Sequence, residues 1–275
     1  MASSSRYLIA FDMDGTLLRP DLSVGEKTKE IISRLVSQGH LVTVATGRPA
    51  RVAIPYYRDL KMNGPLISYN GSSVIDPNNP DYPAKKYLYK KEDVKDFLAS
   101  FGYEKFANIL CETEHTMVIN AYSEELANFY HPEGMTIKEG NVIDLLDEDC
   151  YAVILKLYNH FEDARLVRCG FQYPDVGVRF WGHGAGRLAE MYFPRVSKLS
   201  ALEYARESTG IDREHVIVVG DGDNDVEMLS MYPHSIGMVN GDPQAKSRAS
   251  QVSEFDNSHD GAAIAVEKMI GDLEK

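Results

Sequence analysis

Five short apolar runs share one habit, and it narrows the possible folds more than any other feature of the chain. Each run closes on a polar or glycine-rich turn: "RYLIAFD" (6–12) on Asp12–Asp14, "HLVTVATGR" (40–48) on Thr46–Arg48, "GPLISYNG" (64–71) on Asn70–Gly71. "HVIVVGDGDND" (215–225) closes on Asp221–Asp225, and "HSIGMVNGD" (234–242) on Asn240–Asp242. Continuous apolar runs of this length are strands buried on both faces, the signature of a parallel sheet. Helical patterns separate them. "SVGEKTKEIISRLVSQG" (23–39) places Ile31, Ile32 and Leu35 on one face, with Ser23 as its expected N-cap, Glu26 completing a capping box and Gly39 as its stop. "RVAIPYYRDL" is a weaker helix that carries a proline, and "SKLSALEYARESTG" (197–210) is closed by Gly210. Asp242 and Pro243 open a further helix as N-cap and first helical residue, and 260–270 forms the last. The alternation predicts an α/β fold, a Rossmann-like doubly wound parallel sheet.

That grammar is interrupted. "IDPNNPDYP" (75–83) is dense in turn formers and reads as a hairpin tip or linker. Between 87 and 189 strands and helices mix without regular alternation: "KEDVKDFLASFG" and "FEDARLVRCGF" read as helical, "HTMVINAY", "YAVILKLYN", "VGVRFWGH" and "RLAEMYF" as extended. The expected organisation is a core from 1–86 and 190–275, with an α+β domain inserted at 87–189. The insert holds 10 Lys and Arg against 17 Asp and Glu, a net of −7.

In an open parallel sheet the C-terminal strand ends lie on one edge, and ligands bind there. Residues from 12 to 242 therefore converge, which gathers Asp12, Asp14, Asp221, Asp223 and Asp225 on one rim. Asp12 and Asp14 crowd two charges at one strand end, an arrangement that needs a cation, a proton or a reaction to use it. Carboxylates without Cys or His ligands suit a hard cation, Mg²⁺ before Zn²⁺. A Mg²⁺ ion held this way takes an anionic substrate into its shell, and phosphate is the obvious one. Lys198 can supply positive charge, Thr46 a hydroxyl, and turn amides near Gly15, Gly47 and Gly222 further donors. Asp223 also reads as a plain turn residue and is left out of the metal set. An EF-hand reading of 221–225 fails: Val226 stands where glycine is needed and Tyr232 where the bidentate glutamate is needed.

The bulk properties close off other classes. A net charge of −12 over 275 residues argues against nucleic acid or an anionic membrane as partner. Cys111, Cys150 and Cys169 have neither zinc spacing nor a disulfide framework, which points to a reducing cytoplasm. The apolar run after "MASSS" is too short for a signal peptide or a membrane span. His115, His131 and His160 lack ligand spacing. No feature sets an oligomeric state.

Taken in order, "FDMDGTL", "TGR", "SK" and "GDGDND" resemble the four signature motifs of the haloacid dehalogenase superfamily, and the whole chain resembles its Cof-type phosphatases. Those insert an α+β cap between the third core strand and the lysine motif. The resemblance implies phosphate-monoester hydrolysis of small phosphorylated metabolites, sugar phosphates foremost. Asp12 is then the nucleophile that forms an aspartyl-phosphate, and Asp14 the acid that protonates the leaving oxygen and later activates water. Thr46 and Lys198 hold the phosphoryl group. Asp221 binds Mg²⁺ with Asp12 and the Asp14 backbone carbonyl, supported by Asn224 and Asp225. Gly47, Arg48, Asn70 and Asn224 complete the candidate substrate contacts, although Arg48 suits its loop or a neighbouring carboxylate better than the substrate, and Asn70 is a turn former first and a substrate contact second. Transport ATPases carry Thr at the position of Asp14, so its retention fits hydrolases and mutases. Leu199 and "GMVNGD" depart from the Cof-type pattern, which leaves the substrate open. In the insert, "RFWGHGAGR" (179–187) offers His183 and Arg187 to a cleft, or is a tight turn with a packed Trp181. "NFYHPEGM" (128–135) reads as local packing. Two competing readings are a phosphomutase of the phosphomannomutase type and a non-enzymatic metal-binding module.

Overall fold

The computed structural model describes residues 6–124, 126, 134–181 and 187–275. Two compact units divide the chain. One joins the segment up to Lys86 to the segment from Val196 onward, and the other is Tyr87–Arg195. The first opens with β1 (Leu8–Phe11), α1 (Glu26–Ser37), β2 (Leu41–Val44), α2 (Ala50–Asp59), β3 (Leu66–Ser68), β4 (Ser73–Ile75) and β5 (Lys85–Lys86). The second holds α3 (Lys91–Phe101), β6 (Phe106–Glu112), β7 (Thr116–Ile119), β8 (Thr136–Glu139), α4 (Val142–Leu145), β9 (Ala152–Leu157), α5 (Asp163–Gly170), β10 (Gly177–Trp181) and β11 (Leu188–Tyr192). The chain then returns to the first unit with α6 (Lys198–Thr209), β12 (Val216–Gly220), α7 (Val226–Met231), β13 (His234–Gly237), α8 (Pro243–Arg248), β14 (Gln251–Val252) and α9 (Gly261–Leu273). The unit boundary lies beyond the expected residue 189, because β11 pairs along its whole length with β10.

The first unit is built on a parallel sheet in the order β14-β13-β12-β1-β2. Alternate residues of its central strands feed opposite faces, as the pleat requires. Ile9, Phe11, Val42, Val44, Ile217 and Val219 pack on α1, α2 and α9, whereas Leu8, Ala10, Val216 and Val218 pack on α6, α7 and α8. Helices on both faces make the sheet doubly wound. β1 and β12 are neighbours although most of the chain lies between them, so the strand order reverses there. Such a switch point is where open α/β sheets bind ligands.

Two local expectations are corrected. Ser23 does not cap α1, because its amide and hydroxyl both bond the Asp21 carboxylate, and the helix starts after Gly25. The Thr28 amide is served from a distance by Asp260, the residue before α9. The third apolar run adds no full strand to the parallel sheet. β3 touches the end of β2 through one bridge, Ala45 to Ile67, then turns at Tyr69–Gly71 into an antiparallel sheet with β4 and β5. Tyr69 and Asn70 take up φ of 51° and 52° to make that turn.

The second unit has a sheet in the order β10-β11-β9-β6-β7-β8, antiparallel except for β7 with β8. Its main core sits between one sheet face and α3, α4 and α5. Arg187 pairs with Asp163 at 2.8 Å and lies over the Phe180 ring. His131, His183 and the glycines of 179–187 lie outside the described residues, as does most of 128–135. Among the described residues no helix is long and apolar enough to cross a membrane.

One junction controls where Lys198 sits. Ser197 caps α6: its hydroxyl accepts from the Ser200 amide, and Ser200 returns a bond to the Ser197 amide. Gly71, at φ 103°, lets the Tyr69–Gly71 turn lie directly on the Ser197 backbone. An N-cap hydroxyl contributes about 1 kcal/mol. Ser197→Ala is expected to lower unfolding stability by about that amount, read as a shift of the urea midpoint with unchanged slope.

Candidate active site

Four strand ends build the site. β1 hands on to Asp12, whose amide still bonds the Val219 carbonyl of β12 at 2.9 Å. β12 hands on to Asp221, and the turn after it places Asp225. β2 hands on to Thr46, and β3 to Asn70. The side chains of Asp12, Asp221 and Asp225 each bring an oxygen within 4.8 Å of the others.

Lys198 joins this cluster from the start of α6. Its Nζ donates to Asp12 Oδ1 at 2.5 Å and to Asp225 Oδ1 at 2.7 Å, and the ammonium is fully buried. The second oxygen of Asp225 accepts from the amides of Asp221 and Gly222, both at 3.0 Å. Asp225 is thus held on both oxygens and fixes the turn and the lysine together. Gly220 is needed beneath it, since a Cβ there would collide with the Asp225 side chain. Asp221 is held by Thr16, whose hydroxyl donates to Oδ1 at 2.7 Å. Gly15 passes so close to Asp221, at φ 74°, that neither its conformation nor its space admits a side chain.

Burial is the dominant influence on these charges. It raises the Asp12 carboxyl well above the usual range; Lys198 pulls it down, and Asp225 and Asp221 push it up again. Asp221 is raised for the same first reason, against its Thr16 bond. Burial alone would lower Lys198, but Asp12 and Asp225 outweigh it and its ammonium is held more firmly than usual. Three carboxylates around one ammonium make a pocket of negative potential. Its donors are all oxygens, and its excess charge equals that of one divalent ion. The residues present therefore fit a hard divalent cation.

Asp14 lies apart from this cluster. Its carboxylate is about half exposed, and Arg48 grips both oxygens: Nε donates to Oδ2 at 2.7 Å and Nη2 to Oδ1 at 2.5 Å. That pairing is the first cause of the raised Arg48 pKa. The Arg48 amide donates to Thr46 Oγ1 at 3.1 Å, which leaves the hydroxyl proton of this buried threonine free to point elsewhere. Asn70 accepts from Asn224 Nδ2 at 2.9 Å and lies against Gly47, where a Cβ would come within 3.1 Å of its Oδ1.

The sequence-predicted residues thus fall into three contacting groups: Asp12, Asp221, Asp225 and Lys198; Asp14, Arg48 and Thr46; Asn70, Gly47 and Asn224. Arg48 sits on a carboxylate, the role open to it beside substrate contact. Sequence reasoning gave no role to Thr16, although "DGT" contains it. It also took Asn240 first as a turn former; its Nδ2 donates to the Gly15 carbonyl at 2.8 Å and braces the loop carrying Asp14.

Comparison with known proteins agrees with this geometry. The family described as haloacid dehalogenase-like hydrolase matches residues 9–266. The chain is 28% identical over 261 residues to the 5-amino-6-(5-phospho-D-ribitylamino)uracil phosphatase YitU of Bacillus subtilis, spanning 94% of this chain and 95% of that protein. It is 29% identical over 257 residues to the HMP-PP phosphatase of Serratia proteamaculans, spanning 89% and 88%. A haloacid dehalogenase-like hydrolase from Bacteroides thetaiotaomicron shares the fold with a TM-score of 0.80 at 22% identity, over 96% of this chain and 100% of that one. The chain belongs to the haloacid dehalogenase-like hydrolase family and is one of its phosphatases.

Proposed function

We propose that this phosphatase hydrolyses phosphate monoesters of small metabolites, sugar phosphates foremost, through an aspartyl-phosphate on Asp12 and with Mg²⁺ as cofactor. The observation that carries the reading is the contrast between Asp12 and Asp14. They are two residues apart, yet one is buried beside an ammonium and the other is half exposed on a guanidinium fork. Carboxylates set in different environments can divide the labour of nucleophile and acid–base catalyst, and in this reading Lys198 and the proposed cation hold Asp12 ionised as the nucleophile against the effect of its burial.

In this reading an Asp12 oxygen attacks phosphorus while Asp14 gives its proton to the departing ester oxygen. Asp14 then takes a proton from water, which attacks the same phosphorus and releases Asp12. Lys198 has three N–H donors and uses two on carboxylates, so the third is available to a phosphoryl oxygen. The Thr46 hydroxyl and the Gly47 turn supply further donors, with Asn70 and Asn224 beside them. Asp12, Asp221 and the Asp14 carbonyl would hold Mg²⁺, with Asp225 behind them; when bound, the ion offsets the charge of the carboxylates and of the phosphate.

The name of the B. subtilis relative includes a phosphoribityl group, a sugar-alcohol phosphate, which supports a phosphorylated polyol as substrate class. A mutase would need a second phosphate held in the inserted unit, and the net charge of −7 over 87–189 opposes that. We assign the inserted unit the selection of the leaving group, and the cytoplasm as location, which three buried free cysteines fit.

A phosphate-release screen over sugar phosphates, nucleotides and vitamin phosphates tests the class. With labelled substrate, the label is expected in inorganic phosphate; its recovery in an isomerised product would establish the mutase instead. Asp12→Asn is expected to abolish both phosphate release and acid-stable labelling of the protein. Asp14→Asn is expected to lower kcat by about 10²–10⁴-fold while binding Mg²⁺ as tightly as the unaltered protein by calorimetry. EDTA is expected to stop turnover and added Mg²⁺ to restore it; full activity in EDTA would refute the metal assignment.

A further inference from the structure

Arg48 sits where a phosphate ligand is expected, but its side chain is committed elsewhere. The guanidinium is largely buried, whereas the Asp14 carboxylate it holds is half exposed. Among the described residues no other side chain bonds that carboxylate. The Arg48 backbone is fixed in turn: its amide donates to Thr46 Oγ1 at 3.1 Å and its carbonyl accepts from the Tyr69 amide at 3.0 Å. One residue therefore touches both the group proposed to carry the proton and a group proposed to hold the phosphoryl oxygens.

We propose that Arg48 is a positioning residue: its guanidinium sets the plane of the Asp14 carboxyl, and its amide sets the rotamer of the Thr46 hydroxyl. The proposal rests on the acid–base role given to Asp14 above. A half-exposed aspartate turns freely about two side-chain bonds, and proton transfer needs one of its orientations. A planar fork with two parallel N–H donors selects that orientation before substrate arrives; an ammonium, a point charge on a flexible stem, cannot. The acid form keeps one of the two bonds. Its carbonyl oxygen still accepts from Arg48, leaving the O–H to donate. As the new bond forms between Asp12 and phosphorus, the bond from phosphorus to the ester oxygen breaks. That oxygen takes the Asp14 proton and leaves as an alcohol.

The leaving group provides the test. An alkyl phosphate needs its departing oxygen protonated, whereas p-nitrophenyl phosphate releases a stable anion. Rapid-quench single-turnover measurement of phosphoenzyme formation isolates this step, with ribose 5-phosphate and p-nitrophenyl phosphate as the two probes. Arg48→Met and Arg48→Lys are both expected to slow phosphoenzyme formation from ribose 5-phosphate by about 10–100-fold and to change that from p-nitrophenyl phosphate by less than about threefold. Equal slowing with both probes, a rise in KM at constant kcat, or no effect would overturn the proposal. So would a lysine variant as fast as the unaltered protein, since charge alone would then suffice. The lysine variant carries the test if the methionine variant does not fold by circular dichroism. Asp14→Asn is run beside them. If it discriminates between the probes and the Arg48 variants do not, the Arg48 proposal fails and the role of Asp14 stands. If Asp14→Asn does not discriminate, the acid–base role falls, and with it the role of Arg48.

Discussion

A fully buried ammonium between two buried carboxylates organises this protein. Lys198 reaches Asp12 across 186 residues of sequence and Asp225 across 27. Removing charges from water is expensive, and a buried pair is tolerated only with close geometry and with its remaining lone pairs satisfied. Each requirement is met by a separate part of the fold. Asp12 is fixed because β1 lies in register with β12, and Asp225 because two backbone amides close on its second oxygen. Lys198 is fixed because Ser197 starts α6 at that point and Gly71 lets a strained turn pack onto it. Losing one partner would leave a buried charge uncompensated, at a cost of about 3–5 kcal/mol. The cluster is therefore as much a constraint on the fold as a product of it.

The same geometry separates Asp12 from Asp14. Continued as a strand, the chain would send both side chains to one face and leave them in one environment. It stops being a strand at Asp12. Met13 turns into the core, and Gly15, at a φ open to glycine, lets the chain press against Asp221. Asp14 is thereby carried outward to Arg48, while Asp12 stays inside. The repulsion expected between the two carboxylates is met by a separate cation for each.

How much of this could be read in advance depends on range. The parallel core was legible because burial on both faces leaves unbroken apolar runs, and because stops such as Gly210 act locally. Asp12, Lys198, Asp221 and Asp225 were legible through motif order together with the rule that strand ends converge. The α1 cap was misread because Asp21 competes for Ser23 at short range and Asp260 serves the helix from the far end of the chain. β3 reads as a core strand closed by a turn at Asn70–Gly71, but no local pattern shows that the chain after that turn pairs back on it antiparallel as β4. In the second unit, β8 went unread because its residues are mostly exposed and carry no alternation, and α4 because it is a single turn. Thr16 and Arg48 are polar residues in turns, where their partners cannot be inferred from neighbours.

Counting where the cations are spent gives the site its electrostatic logic. Lys198 is shared by Asp12 and Asp225, and Arg48 is taken by Asp14. Asp221 has a hydroxyl donor but no cation among these contacts. A phosphate monoester, itself a dianion near neutral pH, would enter a rim where carboxylates outnumber basic groups, on a chain of net charge −12. At the separations found here, repulsion between like charges in a partly buried site amounts to several kcal/mol. One spare proton on Lys198 and a few turn amides do not offset that. A divalent ion on Asp12 and Asp221 would, because it cancels the excess negative charge at the place proposed for the phosphate. The metal dependence we propose is thus consistent with how the basic residues are already committed: with Arg48 on Asp14 and Lys198 on Asp12 and Asp225, a bound cation would be left to meet the substrate.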